Sequence, residues 1–325
     1  MNFPPEEFTR MPYEQLHSFV ASAAQQVGLP AARAELLANL LAGNDLRGVF
    51  SHGTRQIATY ARLMRDGRLN NDPQVARVKQ SRASLIVDGD GGLGYFPSYD
   101  GTLQLIEKAT EASIAVLMTR NHGHFGAAGL YARMTLEHDL ITFVTSGHQL
   151  HLGPDQPMYS AAGGSPMAFS APAGEEDGLL LDFGTMHDLY GGRRDELAQI
   201  APGLVLRSIG MGEVCQVWGG LLSGLRIDPD PPRWEWPGAN QGAMMIAMRI
   251  DLFMDPAEFR KQMDGYVRQV RQLQPLPGLD EGYMAGGIEA KRERAWREEG
   301  VPVGNGHREA LEELAGELEI EVPWK

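Results

Sequence analysis

Residues 84–112, SLIVDGDGGLGYFPSYDGTLQLIEKATEA, decide the fold class. Alternating apolar side chains over Ser84–Asp88 predict a strand, and the spacing over about 99–112 predicts a helix. Strand, glycine turn and helix in succession are the unit of an α/β fold. The turn GDGGLG at 89–94 also matches the dinucleotide fingerprint G-x-G-x-x-G. Its charge argues against that match. Asp88 and Asp90 would set carboxylates beside a pyrophosphate, and no basic residue offsets them. The turn is read as a chain reversal, and the fold as α/β without a Rossmann phosphate loop.

Outward from this stretch, Ile114–Met118, Leu140–Val144, Leu179–Asp182 and Ala243–Met248 have strand patterning. Helices are expected at about 127–138, 213–225 and 256–272, with loops rich in Pro and Gly at 227–242 and 274–288. The chain begins helical from Tyr13 to Arg65, broken at Gly28-Leu-Pro30, and ends in charged helices at about 288–299 and 307–318. The expected organisation is an N-terminal helical segment (1–75), a central α/β sheet domain (76–275) and C-terminal helices (276–325) packing back on the N-terminal ones. No repeat of solenoid length is present.

Composition narrows the function classes. The 325 residues carry 29 Lys+Arg against 42 Asp+Glu, a net charge of −13, which disfavours a nucleic-acid-binding surface. The single cysteine, Cys215, excludes an intrachain disulfide, a thiolate zinc cluster and an iron–sulfur centre. No apolar run is long enough to span a membrane, and MNFPPEEFTR has no leader pattern, so a soluble cytoplasmic protein is expected.

Two motifs can carry chemistry. In DLRGVFSHG at 45–53 and the helical run after it, His52, Gln56 and Tyr60 fall at i, i+4 and i+8, one helix face that could grip a small polar substrate. A capping Ser51 before an ordinary amphipathic helix explains the same spacing. RNHGHFGAA at 120–128 ends a strand and opens a helix, a place where active-site groups concentrate. A histidine there can exchange a proton near neutral pH, or simply cap a turn. The pairs His122-x-His124 and His148-x-x-His151, with His187-Asp188, have spacings that permit a metal, but such pairs also arise by chance and no metal is assigned.

DLRGVFSHG and TRNHGHFGAAGLYA (119–132), in that order, resemble the malate/L-lactate dehydrogenase family of NAD(P)-dependent oxidoreductases. The resemblance extends to VDGDGGLGYFPSYDGTLQLIEKA (87–109), LLLDFGT (179–185) and KRERAWREEGVPV (291–303). It implies a non-Rossmann mixed-sheet domain with a helical unit built from both termini, and a nucleotide region at 140–245. It also implies NAD or NADP as cofactor, a small 2-oxo or 2-hydroxy acid or cyclic imine as substrate, and a homodimer. By resemblance, His124 is the proton donor or acceptor and His52 a second catalytic group lining the substrate site. Ser51, Arg55, Gln56 and Tyr60 contact substrate, while His148, Asp182, Phe183 and Gly184 lie along the nucleotide.

Departures from the family pattern cluster at the nucleotide. Gln56 stands where members carry an arginine for the substrate carboxylate, and a neutral amide cannot replace a bidentate guanidinium. Met211-Gly212 replaces a lysine-glycine pair, Gly163-Gly-Ser-Pro166 and Thr185-Met186 replace further family segments, and Ala285-Gly-Gly287 replaces Pro-Gly-Glu. The connection over 183–211 is also shorter than the family norm. His148, Arg193, Arg194 and Arg207 are candidates to face a phosphate instead. The alternative reading keeps the fold but loses the dinucleotide, leaving non-redox isomerase, lyase or hydrolase chemistry with or without a metal.

Overall fold

The computed structural model describes residues 4–186, 194–227 and 240–324. His187, Asp188 and Arg193, and most of the 227–242 loop, lie outside the described residues, as does the side chain of Arg194. The chain forms two compact units, one of residues 1–73 and 287–325, the other of residues 74–286.

The first unit joins the two ends of the chain. It contains β1 (Phe8–Met11), α1 (Tyr13–Gln26), α2 (Ala31–Leu46), α3 (Ile57–Arg65), and, from the far terminus, α9 (Gly287–Glu299), β9 (Val301–Gly304) and α10 (Asn305–Leu318). β1 pairs antiparallel with β9, so a two-stranded ribbon ties residues separated by almost the whole sequence. The apolar faces of α1, α2, α3 and α10 bury Leu16, Phe19, Leu37, Leu41, Ile57, Leu311 and Leu314. Arg47, the residue capping α2 at its C-terminal end, forms a two-pronged ion pair with Glu293 on α9, both bonds 2.8 Å. Such a fork fixes orientation as well as distance.

The second unit is a mixed sheet with helices. Its strands are β2 (Ala76–Gln80), β3 (Ser84–Asp88), β4 (Ile114–His122), β5 (Leu140–His148), β6 (Pro166–Ala171), β7 (Leu179–Gly184) and β8 (Gln241–Arg249), in the spatial order β2-β3-β4-β8-β5-β6-β7. Only β3 and β4 pair in parallel, joined through α4 (Tyr95–Ala112); every other neighbouring pair is antiparallel. This is the expected non-Rossmann mixed sheet. Because β8 runs antiparallel between β4 and β5, those two strands share a direction, and β7 shares it through β6. The carboxyl ends of β3, β4, β5 and β7 therefore meet at one end of the sheet.

The helices are α5 (Gly129–Met134), α6 (Arg194–Ile200), α7 (Pro202–Cys215) and α8 (Pro256–Arg271). Two differ from expectation. α5 is a single short turn rather than 127–138, and the helix expected over 213–225 begins at Pro202 and passes at Gln216–Gly220 into a wider π turn. Proline at the first helical position costs nothing, since its missing N–H has no intrahelical partner there. The π turn sits at a close backbone contact. Gly219 and Gly220 press on Ser146 and Gly147 of β5, where a Cβ on Gly219 would lie 2.5 Å from backbone. Among the described residues no helix is long and apolar enough to cross a membrane.

Candidate functional site

The shared strand end collects the candidates of the second unit. Asp88 closes β3, the His124 segment leaves β4, His148 closes β5, and Asp182–Gly184 close β7. His122 and His148 both pair with Gln241 of β8, from opposite sides, so the two strands reach the edge at the same level.

The glycine turn at 89–94 has a structural task that its sequence did not reveal. It is zipped to the His124 segment by backbone bonds: Gly89 N to Arg120 O (2.9 Å), Gly91 N to Asn121 O (2.9 Å), Gly123 N to Gly92 O (2.8 Å) and Gly94 N to His124 O (3.0 Å). A Cβ on Gly94 would come within 2.5 Å of the His122 ring and 2.8 Å of Gly123 O. No pyrophosphate fits between segments in such contact. The expectation that Asp88 and Asp90 lack a basic partner needs correction. Parallel register sets Asp88 opposite Arg120, whose Nε donates to Asp88 at 3.0 Å, and Asn121 Nδ2 donates to the same carboxylate at 2.6 Å.

The two histidines of His122-Gly-His124 are not equivalent. His122 is fully buried; its Nδ1 faces the carbonyl of Gly123 at 2.7 Å and its Nε2 faces Thr119 Oγ1 at 2.8 Å. A carbonyl can only accept, so Nδ1 carries the proton and Nε2 accepts from the hydroxyl. Both nitrogens are committed, and His122 is a structural residue. Among the described residues no group of His, Cys, Asp or Glu is arranged to hold a metal. His124 is half-buried, its ring edge-on to Tyr95 at 6.4 Å. Glycine at 126, with φ +82°, lets the chain pass the Tyr95 ring, and Tyr131 donates to Phe125 O. The Asp182 carboxylate rests on Gly129, where a Cβ would lie 2.6 Å from Oδ2. β7 thus delivers Asp182 to the loop that carries His124.

His148 lies apart, in a pocket of about 150 Å³ with Leu150, Leu152, Gln216, Val217, Leu221 and Ile227, rimmed by Glu213 and Arg226. Gln216 bridges this wall, accepting from His148 N (3.1 Å) and donating to Ala162 O (3.3 Å). Burial lowers the pKa of His148 and favours its neutral form. Met211 is partly exposed, Arg207 folds back to Gly203 O, and Ala285 O takes the N–H of Leu180 on β7.

In the first unit the predicted helix stripe is broken. Phe50–His52 and Thr54–Gln56 are separate 3₁₀ turns, divided by extended Gly53, and the α-helix starts only at Ile57. His52, Gln56 and Tyr60 therefore do not share one helical face, and Tyr60 is buried at 1% exposure. Ser51 Oγ lies 2.8 Å from His52 Nδ1. Gln56 Nε2 donates to Ser51 O at 2.7 Å, which fixes the amide orientation and leaves Oε1 as the group presented; Arg55 is exposed. Sequence reading missed Asp45, Thr54 and His307, which are joined beneath this loop.

Buried titratable groups contribute to the acid stability, His148 among them with its lowered pKa. Burial lowers both His122 and His307 from 6.5 to about 4, with the charge of Arg55 adding to the second. Burial raises Asp45 from 3.8 to about 7 against the hydrogen bonds from Thr54. The unfolded chain protonates each histidine near 6.5, the native chain only near 4, so each contributes stability that is lost as pH falls through that window. Asp45 acts oppositely, because the native chain keeps a proton that the unfolded chain releases. The three lowered histidines outweigh the one raised carboxyl, so unfolding free energy should rise with pH over this window, by about 1.4 kcal/mol per unit for each proton of the net difference. Urea titrations across the window check this; a flat profile would contradict it.

The second unit is thus an α/β scaffold with a histidine-bearing loop at its shared strand end. The family model for malate/L-lactate dehydrogenase matches residues 11–192 and 197–312, and the chain belongs to that family. It is 31% identical to a malate dehydrogenase of Pyrococcus horikoshii over 180 residues, which is 55% of this chain and 50% of that protein. It is 25% identical to the L-sulfolactate dehydrogenase of Methanocaldococcus jannaschii, over 95% of this chain and 97% of that one. The structure of malate dehydrogenase from Pyrococcus horikoshii superposes with a TM-score of 0.85 at 22% identity, covering 99% of both chains.

Proposed function

We propose that the protein is an NAD(P)-dependent oxidoreductase acting on a small 2-oxo or 2-hydroxy acid or a cyclic imine. The observation that carries this reading is the convergence of the His124 loop, Asp182 and His148 at one end of a sheet whose family is one of dehydrogenases. His124 donates or accepts the proton at the reacting oxygen or nitrogen, with its ring set by Tyr95 and by the glycine turn behind it. Ser51, His52, Arg55, Gln56 and Tyr60 are assigned to substrate, and His148, Asp182, Phe183 and Gly184 to the dinucleotide. When bound, the nicotinamide supplies the hydride.

The pocket at His148 fits part of such a cofactor. Its volume of about 150 Å³ is below the roughly 300–1,000 Å³ that encloses a drug-sized ligand, so it takes one ring of a dinucleotide. The walls are mostly apolar, and among the described residues the cation lining the pocket, Arg226, is accompanied by Glu213. Weak binding follows, with Kd on the order of hundreds of micromolar for NADH and NADPH. Calorimetric titration tests this. Micromolar binding would show that other residues hold the phosphates, and no binding would favour the non-redox alternative.

Gln56 presents an amide oxygen where a second substrate carboxylate would need a cation. The substrate class is accordingly neutral, amide-bearing or cyclic at that end, and efficient turnover of malate or sulfolactate would overturn this assignment. The active form is taken as a homodimer. Leu204, Met211 and Val214 of α7 are exposed apolar residues at spacings of seven and three, as an interface helix requires. Light scattering should return twice the 35.6 kDa chain mass.

A further inference from the structure

The loop carrying Ser51 and His52 rests on a buried polar line. Asp45, fully buried near the end of α2, accepts through Oδ2 from the backbone N–H of Thr54 (2.9 Å) and from its hydroxyl. The Thr54 hydroxyl has one hydrogen. Spent on Asp45, it leaves the oxygen to accept from His307 Nε2 on α10, 2.9 Å away. His307 is 9% exposed and Thr54 not at all. The residue before Asp45 completes the grip: Asn44 Nδ2 donates to the carbonyl of His52 at 2.9 Å. Two adjacent residues of α2 thus hold the backbone on either side of Gly53. His52 N also donates to Val49 O at 3.0 Å.

Asp45 Oδ1 is buried without a hydrogen-bond partner and lies against Gly53, where a Cβ would be 1.7 Å away. A buried carboxyl oxygen left unpaired is costly, and its retention calls for a reason. Hydrophobic packing of the same volume would hold a loop without that cost. What packing does not supply is direction. A hydrogen-bonded line through a carboxyl, a hydroxyl and an imidazole holds the 52–54 backbone in one direction, which sets where the His52 side chain leaves the chain, and Ser51 Oγ then meets its ring at Nδ1.

We propose that Asp45, Thr54 and His307 form a positioning relay that fixes the 52–54 backbone and thereby aims His52. This rests on the reading of His52 as a functional residue; the three relay residues touch no substrate. The relay draws on α2, the 3₁₀ turn and α10, so the C-terminal helix takes part in placing a loop some 250 residues earlier in the chain.

The test uses the full-length protein with ¹⁵N-labelled histidine. Thr54→Val removes the hydroxyl and keeps the volume, and Thr54→Ser keeps the hydroxyl. The His52 ring signals should shift or split in Thr54→Val and return to wild-type positions in Thr54→Ser. In the reductase assay kcat/KM should fall about tenfold in the first variant, the loss of one hydrogen bond of roughly 1.4 kcal/mol, and recover in the second. Unchanged His52 signals in a folded Thr54→Val would overturn the relay, even with a lowered melting temperature. Should that variant fail to fold, His307→Gln is read in the same way. If the wild type oxidises no reduced nicotinamide with any substrate, the proposed function fails, while the ring signals still decide the relay.

Discussion

Replacing His124 by alanine should lower turnover about 10²–10⁴-fold and leave folding almost untouched. Both halves of this expectation come from the loop. Its path is set by backbone bonds to the glycine turn, including Gly94 N to His124 O, and these do not involve the imidazole. The ring itself is half-buried and stands edge-on to Tyr95, a contact of modest energy. In the proposed reaction its removal subtracts the proton carrier, while the backbone bonds that set the loop remain. His122, two residues earlier, is the internal comparison: fully buried and bonded at both nitrogens, it should cost stability when replaced. Initial rates and thermal melts on the two variants separate the roles. Near-normal turnover of His124→Ala would make His124 structural.

Gly53→Ala should destabilise the protein by more than about 3 kcal/mol. The backbone at Gly53 has φ −89° and ψ −162°, a conformation open to any residue, so the cost is steric. The new methyl carbon would sit 1.7 Å from Asp45 Oδ1 and 2.5 Å from its Cγ. Asp45 cannot swing away, because it is enclosed and held by two bonds from Thr54. Gly306→Ala provides the control: it lies in α10 with nothing within 4 Å of the new carbon, and alanine favours a helix. Chemical denaturation of both variants reads the difference. A Gly53→Ala protein as stable as wild type would mean that the carboxyl is free to move.

The parts of the fold that were legible are those with a strong local period. Ser84–Asp88 and Ala243–Met248 alternate or run apolar as buried strands do, and both lie in the sheet. α7 was misplaced because Pro202, Gly203, Gly210 and Gly212 look like loop residues, although proline suits a helix start and Gly212 packs on Ala162 and Ser165. The insertion of β8 between β4 and β5, which aligns the strand ends, has no local signal at all. The candidate site divides in the same way. The Asn121-x-x-His124 segment and Ser51-His52 could be found because each is a short contiguous motif. Arg120 facing Asp88, and His307 facing Thr54, are partners 32 and 253 residues distant, which only the register and helix packing bring together. The stripe of His52, Gln56 and Tyr60 was misread because one extended glycine broke the helix it assumed.

Hydride transfer from a reduced nicotinamide is read from the fall in nicotinamide absorbance when the wild-type protein meets a panel of substrates. The panel should hold 2-oxo acids, ureido and amide-bearing 2-oxo acids, and cyclic imino acids, with NADH and NADPH each at millimolar concentration to offset weak binding. Enzyme-dependent oxidation of at least one nucleotide is expected, matched mole for mole by reduced product and suppressed in His124→Ala. Folded wild-type protein that consumes neither nucleotide with any of these substrates would contradict hydride transfer.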